Sequence, residues 1–218
     1  MPAALLILSG LAAALYGTVL LRADKTARRA VVKTTAVASL AVYAFLAGGP
    51  IWLVAALVLS ALGDFFLAFE GEKPFLAGLA SFLLAHVVYI VLFRQVGLPL
   101  GVIGDETWRL VGSVAIVVLC AGLLGWLWGH LGPMRAPVVA YTVTIATMVV
   151  SALALSGRGS AIVGAFAFAA SDSCLATITF RLKEGPLATF WLPLAVWWLY
   201  WGAQVAITAG FVMMPAAG

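Results

Sequence analysis

Residues 75–94, FLAGLASFLLAHVVYIVLFR, run without a charge until Arg94 closes them. A helix needs about 20 apolar residues to cross the hydrocarbon of a bilayer, and this stretch has that length. Seven others read the same way, at approximately 3–21, 30–47, 50–69, 109–129, 134–155, 159–181 and 187–213. The connections carry helix-breaking signals: Gly48-Gly49-Pro50, Glu70-Gly71-Glu72-Lys73-Pro74, Gly132-Pro133, Ser156-Gly157-Arg158-Gly159 and Lys183-Glu184-Gly185-Pro186. The longest of them, 95–108, is too short to fold separately. The expected fold is therefore all-α, a polytopic membrane protein, with residues 1–218 forming a single bundle of eight transmembrane helices. The first stretch has no positive segment before it and a basic run, Arg22 to Arg29, behind it. That reverses the order of a secretory signal peptide, so it is read as a retained helix.

Composition supports this reading. Of the 218 residues, 65% are hydrophobic and only 9% charged, with a mean hydropathy of +1.16. Soluble domains carry about 25% charged residues. So few charges cannot solvate a water-facing surface, which excludes the soluble classes, and so much apolar content excludes disorder. The net charge of +4 does not indicate a nucleic-acid partner, because the basic residues lie in short connections rather than along one stripe. Cys120 and Cys174 fall in apolar stretches, with the spacing of neither a disulfide framework nor a zinc site, and are read as packing residues.

Orientation follows from the basic residues. Nine of the twelve, Arg22, Lys25, Arg28, Arg29, Lys33, Lys73, Arg135, Arg181 and Lys183, flank the odd-numbered connections. Arg94, Arg109 and Arg158 flank the even-numbered ones. The positive-inside rule then puts the odd connections in the cytoplasm and both termini outside, as expected for a bacterial inner membrane. A weak internal echo is also visible. Arg29-Ala30-Val31-Val32 resembles Arg135-Ala136-Pro137-Val138-Val139, 106 residues on, and Gly63-Asp64 resembles Ser171-Asp172, 108 residues on. A parallel repeat of this kind would set the two aspartates opposite each other across the bundle axis.

Asp64 and Asp172 are the only carboxylates well inside the spans. An ionisable group at that depth costs at least about 2.5–3.5 kcal/mol and is a functional hypothesis by default. The bland reading is a polar clasp between helices. At 1.5 Å per residue, Asp64 lies roughly 7–8 Å and Asp172 roughly 13 Å from the basic ends of their helices. His86 sits near the midplane between Phe82 and Tyr89, either as a packing residue or as a hydrogen-bond partner that orients an aspartate or substrate. A metal site is not expected, because one histidine with two aspartates is a poor zinc set. Lys33 and Arg135 have two readings: they snorkel to the headgroups, or they bind a substrate phosphate at the cavity mouth. Tyr141, Tyr200 and Gln204 complete the polar inventory. Trp191, Trp197, Trp198 and Trp201 are read as core and interface-belt residues.

Several of these residues fall into a recognisable pattern. Ser60-Ala61-Leu62-Gly63-Asp64-Phe65-Phe66-Leu67, with Phe75-Leu76-Ala77-Gly78 leading into Phe82-Leu83-Leu84-Ala85-His86-Val87-Val88-Tyr89, resembles the first signature of the YhhN-like lysoplasmalogenases. Gly164-Ala165-Phe166 running to Phe168 and Ser171-Asp172-Ser173-Cys174-Leu175 resembles the second. Lys33, Arg135 to Tyr141, and Tyr200 with Gln204 fall in the expected order. The chain departs at Ala85, where the pattern has glycine before the histidine. The resemblance implies an eight-helix membrane hydrolase cleaving the vinyl ether bond of lysoplasmalogens, with Asp64 and Asp172 as its catalytic pair. Its partner would be a lysophospholipid with one long chain. Its products would be a fatty aldehyde and glycerophosphoethanolamine or glycerophosphocholine.

The residues suit that chemistry. A vinyl ether is hydrolysed by protonating its β-carbon, which leaves an oxocarbenium ion at the oxygen-bearing carbon. Water adds to the cation, and the hemiacetal collapses. One protonated acid and one ionised carboxylate are needed, as in glycoside hydrolysis, and no cofactor, metal or nucleotide is called for. Asp172, deeper and flanked by Phe168 and Leu175, is expected to be the acid. Asp64, with Ser60 one turn earlier and Lys33 on the preceding helix, is expected to be the base. Ser171 beside Asp172 could tilt the assignment the other way. The same aspartates also fit a proton-coupled transporter of small molecules or lipids, although no paired Gly/Pro-broken helices are seen. They fit an intramembrane aspartyl protease less well: Ala61 stands where a glycine is wanted, and no Pro-Ala-Leu tripeptide occurs.

Overall fold

The computed structural model describes residues 2–24 and 26–212; Lys25, one of the nine basic residues used above, and residues 213–218 lie outside the described part. The described residues form helices joined by short turns, without strands. They form α1 (Pro2–Leu15, prolonged by a π-helical turn over Tyr16–Leu20), α2 (Ala27–Leu46), α3 (Ile51–Leu67), α4 (Glu72–Val96), the single turn α5 (Val102–Asp105), α6 (Thr107–Leu127), α7 (Arg135–Leu153), α8 (Gly159–Phe180) and α9 (Leu192–Val212). A second π-helical turn, Leu187–Trp191, leads into α9. Seven helices are long and apolar enough to cross a membrane. The eighth, α3, is apolar but has only 17 residues, because Pro50 caps its start and a turn follows Ala68. At 1.5 Å per residue it is roughly 25 Å long, near the short end of what spans.

Local chemistry sets the boundaries. The Thr26 hydroxyl accepts from the Arg29 amide and caps α2. Gly71, at φ +113°, makes the left-handed turn into α4, which a side chain would strain. The fourth connection, 95–108, contains the turn α5, and the buried Arg109 just after it donates to the carbonyls of Leu153 and Leu155. Arg109 thus caps the C-terminal end of α7 rather than standing in solvent.

Consecutive helices pack along the chain: α1 on α2, α2 on α3, and α3 on α4. From there α4 packs on α7, α7 on α8, α8 on α9, and α9 returns to touch α2 and α3. Six helices, α2, α3, α4, α7, α8 and α9, therefore close a ring. Outside it, α1 packs on α2 and α6 on α7. The outward faces are apolar: α6 turns Val111, Val114, Val118 and Leu119 away from the protein. Polar side chains are drawn inward instead, and Ser60, Asp64, His86, Ser171, Gln204 and Thr208 are all buried. This is the distribution of a chain whose solvent is lipid.

Candidate active site

Asp64 reaches the interior because Gly63 lets α3 and α4 close on each other. A β-carbon at Gly63 would lie 2.6 Å from the Phe82 ring. One Asp64 carboxylate oxygen, Oδ1, is 2.9 Å from Lys33 Nζ on α2. The other, Oδ2, accepts from the Tyr200 hydroxyl on α9 at 2.7 Å. The side chain is 1% exposed. Three helices of the ring thus meet at this carboxylate, and its partners are a cation and a hydroxyl donor. Both stabilise negative charge.

Asp172, on α8, is held differently. Its Oδ2 accepts from the Tyr141 hydroxyl on α7 at 3.0 Å and lies 3.3 Å from His86 Nε2 on α4. His86 is fully buried, and its Nδ1 is 2.6 Å from the carbonyl oxygen of Phe82. A carbonyl can only accept, so Nδ1 carries a hydrogen, and in a neutral ring Nε2 then offers a lone pair. A lone pair facing an ionised carboxylate would be repelled. A proton between Nε2 and Asp172 Oδ2 satisfies both.

The two carboxylates line one cavity of about 380 Å³, together with Arg29, Lys33, Trp197 and Tyr200. Asp172 also lines a smaller slot of about 80 Å³, with Tyr141. The order of enclosure is the reverse of that expected. Asp172 is 10% exposed at its side chain and Asp64 only 1%, because the Lys33 and Tyr200 side chains close over Asp64.

The remaining sequence candidates divide into those at the cavity and those behind it. Lys33 does not snorkel; it is paired with Asp64. The Ser60 hydroxyl has no hydrogen-bond partner, and only its carbonyl is touched, by Tyr200 at 3.4 Å. Ser171 lines the cavity but donates to the Val196 carbonyl at 2.8 Å, tying α8 to α9 instead of bonding Asp172. Tyr89 donates to Gln204 Oε1 at 2.5 Å, and both lie buried behind Tyr200 and Phe168. Arg135 is exposed, with its guanidinium 5.1 Å above the Trp128 ring, and lines neither cavity. Trp197 is core, while Trp191 and Trp198 face outward.

One residue escaped attention as a site candidate. Arg29, counted only as a loop charge, lines the cavity one turn before Lys33. It donates to the carbonyls of Leu21 and Ala23 and to the Tyr16 hydroxyl, and its Nε–H is buried without a partner. The i, i+4 spacing of Arg29 and Lys33 was the available signal, since it puts both on one helix face. Among the described residues, no cluster of three or more His, Cys, Asp or Glu side chains is placed to hold a metal ion.

Fold and site together define a polytopic membrane protein with two unequally paired carboxylates in a cavity inside a helix ring. The chain belongs to the YhhN family, whose pattern matches residues 28–211. It is similar to proteins named lysoplasmalogenase from Mycobacterium bovis and Mycobacterium tuberculosis, each 41% identical over 168 residues. The match covers 73% of this chain but only 60% of each of those relatives. No solved structure matches the chain.

Proposed function

We propose that this protein is a membrane hydrolase that cleaves the vinyl ether bond of lysoplasmalogens. The products are a fatty aldehyde and glycerophosphoethanolamine or glycerophosphocholine. The observation that carries the reading is the unequal pairing of two carboxylates in one cavity: Asp64 against Lys33, Asp172 against the Nε2 of His86. Family membership and the lysoplasmalogenase relatives support the substrate class.

The chemistry needs one proton donor and one anion, and the two environments supply them. Asp172 gives its proton to the β-carbon of the vinyl ether while Tyr141 continues to donate to the carboxylate left behind. His86, fixed by Phe82, is a positioning residue that sets which oxygen of Asp172 carries the proton. The oxocarbenium ion faces Asp64, whose negative charge stabilises it. Asp64 then takes a proton from the attacking water, giving the hemiacetal. Collapse moves the hemiacetal hydroxyl proton to the departing glycerol oxygen, and the proton on Asp64 returns through cavity water to Asp172. One water is consumed and the protein ends as it began. The basic end of the bundle, with Arg29 and Lys33, is assigned to the cytoplasmic face of the inner membrane, and both termini to the outside.

The test is aldehyde release by purified protein reconstituted in bilayers. A lysoplasmenylethanolamine should be turned over, whereas the 1-acyl lysophospholipid, having no vinyl ether to protonate, should not. Folded protein that releases no aldehyde, or that hydrolyses the acyl lipid equally well, would overturn the proposal.

A further inference from the structure

The smaller slot beside Asp172 has no part in the mechanism just described. It runs between α4, α6, α7 and α8 and is walled by Leu79, Cys120, Leu123, Ile145, Ala176 and Phe180. Two hydroxyls in its wall are already satisfied: Thr142 donates to the Val138 carbonyl and Ser173 to that of Ala169, each within its own helix. The polar side chains that remain are Thr179 and the Tyr141–Asp172 pair. The slot and the larger cavity share Leu67, Phe75, Phe82, Asp172, Leu175 and Thr179, so they adjoin along a wall that includes Asp172. Their chemistry differs: the cavity holds Arg29, Lys33 and Asp64, while the slot is lined mainly by apolar side chains.

We infer that the slot seats the part of the substrate's hydrocarbon chain next to the vinyl ether, with the phosphate in the cavity beside Arg29 and the chain passing Asp172 into the space between α4, α6, α7 and α8. This rests on the proposed function and deepens it. The buried, unpartnered Nε–H of Arg29 is a donor left over for the phosphate. α4 and α6 both pack on α7, and Leu79 of α4 faces Cys120 and Leu123 of α6 in the wall of the slot.

This placement also fixes the direction of attack. In a vinyl ether the β-carbon is on the chain side and the oxygen-bearing carbon on the headgroup side. A lipid threaded this way presents its β-carbon to Asp172, which lines both spaces, and its oxygen-bearing carbon to the cavity that holds Asp64. The acid assignment reached from the His86 tautomer is thus reached again from the shape of the site.

The test narrows the slot. Leu123→Trp and Ile145→Trp should block it, lowering the ratio of kcat/KM for a lysoplasmenyl substrate with an 18-carbon chain over one with a chain of about four carbons at least tenfold. Leu123→Ala, which opens the slot without risk of overpacking, should leave that ratio at or above the wild-type value. In parallel, Cys120 in a Cys174→Ala protein should react with a maleimide several-fold more slowly when bilayers contain a long-chain lysolipid. An unchanged chain-length ratio with unprotected Cys120, in protein that still releases aldehyde, would overturn the slot assignment while leaving the proposed function standing. Failure of wild-type protein to release aldehyde from either chain length would overturn the function itself.

Discussion

Lys33 and Asp64 form the closest ion pair in the spans, at 2.9 Å, and removing either partner leaves the other buried alone. Breaking a buried pair costs about 3–5 kcal/mol. In the proposed mechanism Asp64 faces the oxocarbenium ion with its negative charge, which it would give up with no cation beside it. Lys33→Met is therefore expected to lower kcat more than it raises KM, opposite to the pattern of a lost phosphate contact. Steady-state kinetics on protein of verified fold would show this, and a pure KM effect would return Lys33 to headgroup binding. The two aspartates are separable by pH. An acid works only while protonated, so its loss makes the alkaline limb of the rate profile; a base works only while ionised, so its loss makes the acidic limb. Asp172→Glu should move mainly the alkaline limb and Asp64→Glu mainly the acidic one. The reverse pattern would exchange their roles.

Helix contacts set how accurately those residues meet. α8 and α9 approach through small residues, and a β-carbon at Gly164 would lie 2.9 Å from the Ala203 carbonyl oxygen and 2.7 Å from the Ile207 side chain. A backbone atom cannot yield, so α8 must move, and overpacking of this kind costs about 1–3 kcal/mol. Gly164→Val should lower Tm clearly, whereas Val163→Ala, on the outward face, should change it little. Because Asp172 and Tyr200 ride on these two helices, Gly164→Val should also slow turnover. The helices themselves were legible in the sequence, because a bilayer demands length and apolarity that a one-dimensional pattern displays. The carboxylates and His86 were legible for the same reason, being out of place in such a pattern. Partners were less so. Snorkelling and phosphate binding make the same demand on a lysine near a helix end, so Lys33 was ambiguous, and its pairing with Asp64 depends on how α2 meets α3. The true neighbour of Ser171 is a backbone carbonyl, which no side-chain pattern announces. Arg135 matched Arg29 in sequence, but it lies beside Trp128, away from the ring interior.

The molecule as a whole is a closed ring of six helices with α1 and α6 outside it, and this closure depends on contacts such as α4 on α7 and α9 on α2 that no local signal encodes. Each aspartate is partnered from the helix just before it in the chain, Lys33 on α2 for Asp64 and Tyr141 on α7 for Asp172. The polar cavity lies toward the end that carries Arg29 and Lys33, so its access side depends on orientation. In a background without native cysteines, Glu70→Cys should resist an impermeant thiol reagent in intact cells and Gly101→Cys should react. The opposite labelling would place the cavity mouth outside. The central claim is that Asp64 and Asp172 carry out the hydrolysis together, and the most direct measurement is aldehyde release by reconstituted Asp64→Asn and Asp172→Asn proteins of verified fold. Each is predicted to fall at least about 10²-fold below wild type, the lower range for loss of a positioned acid or base. Near-wild-type release by either variant would contradict it.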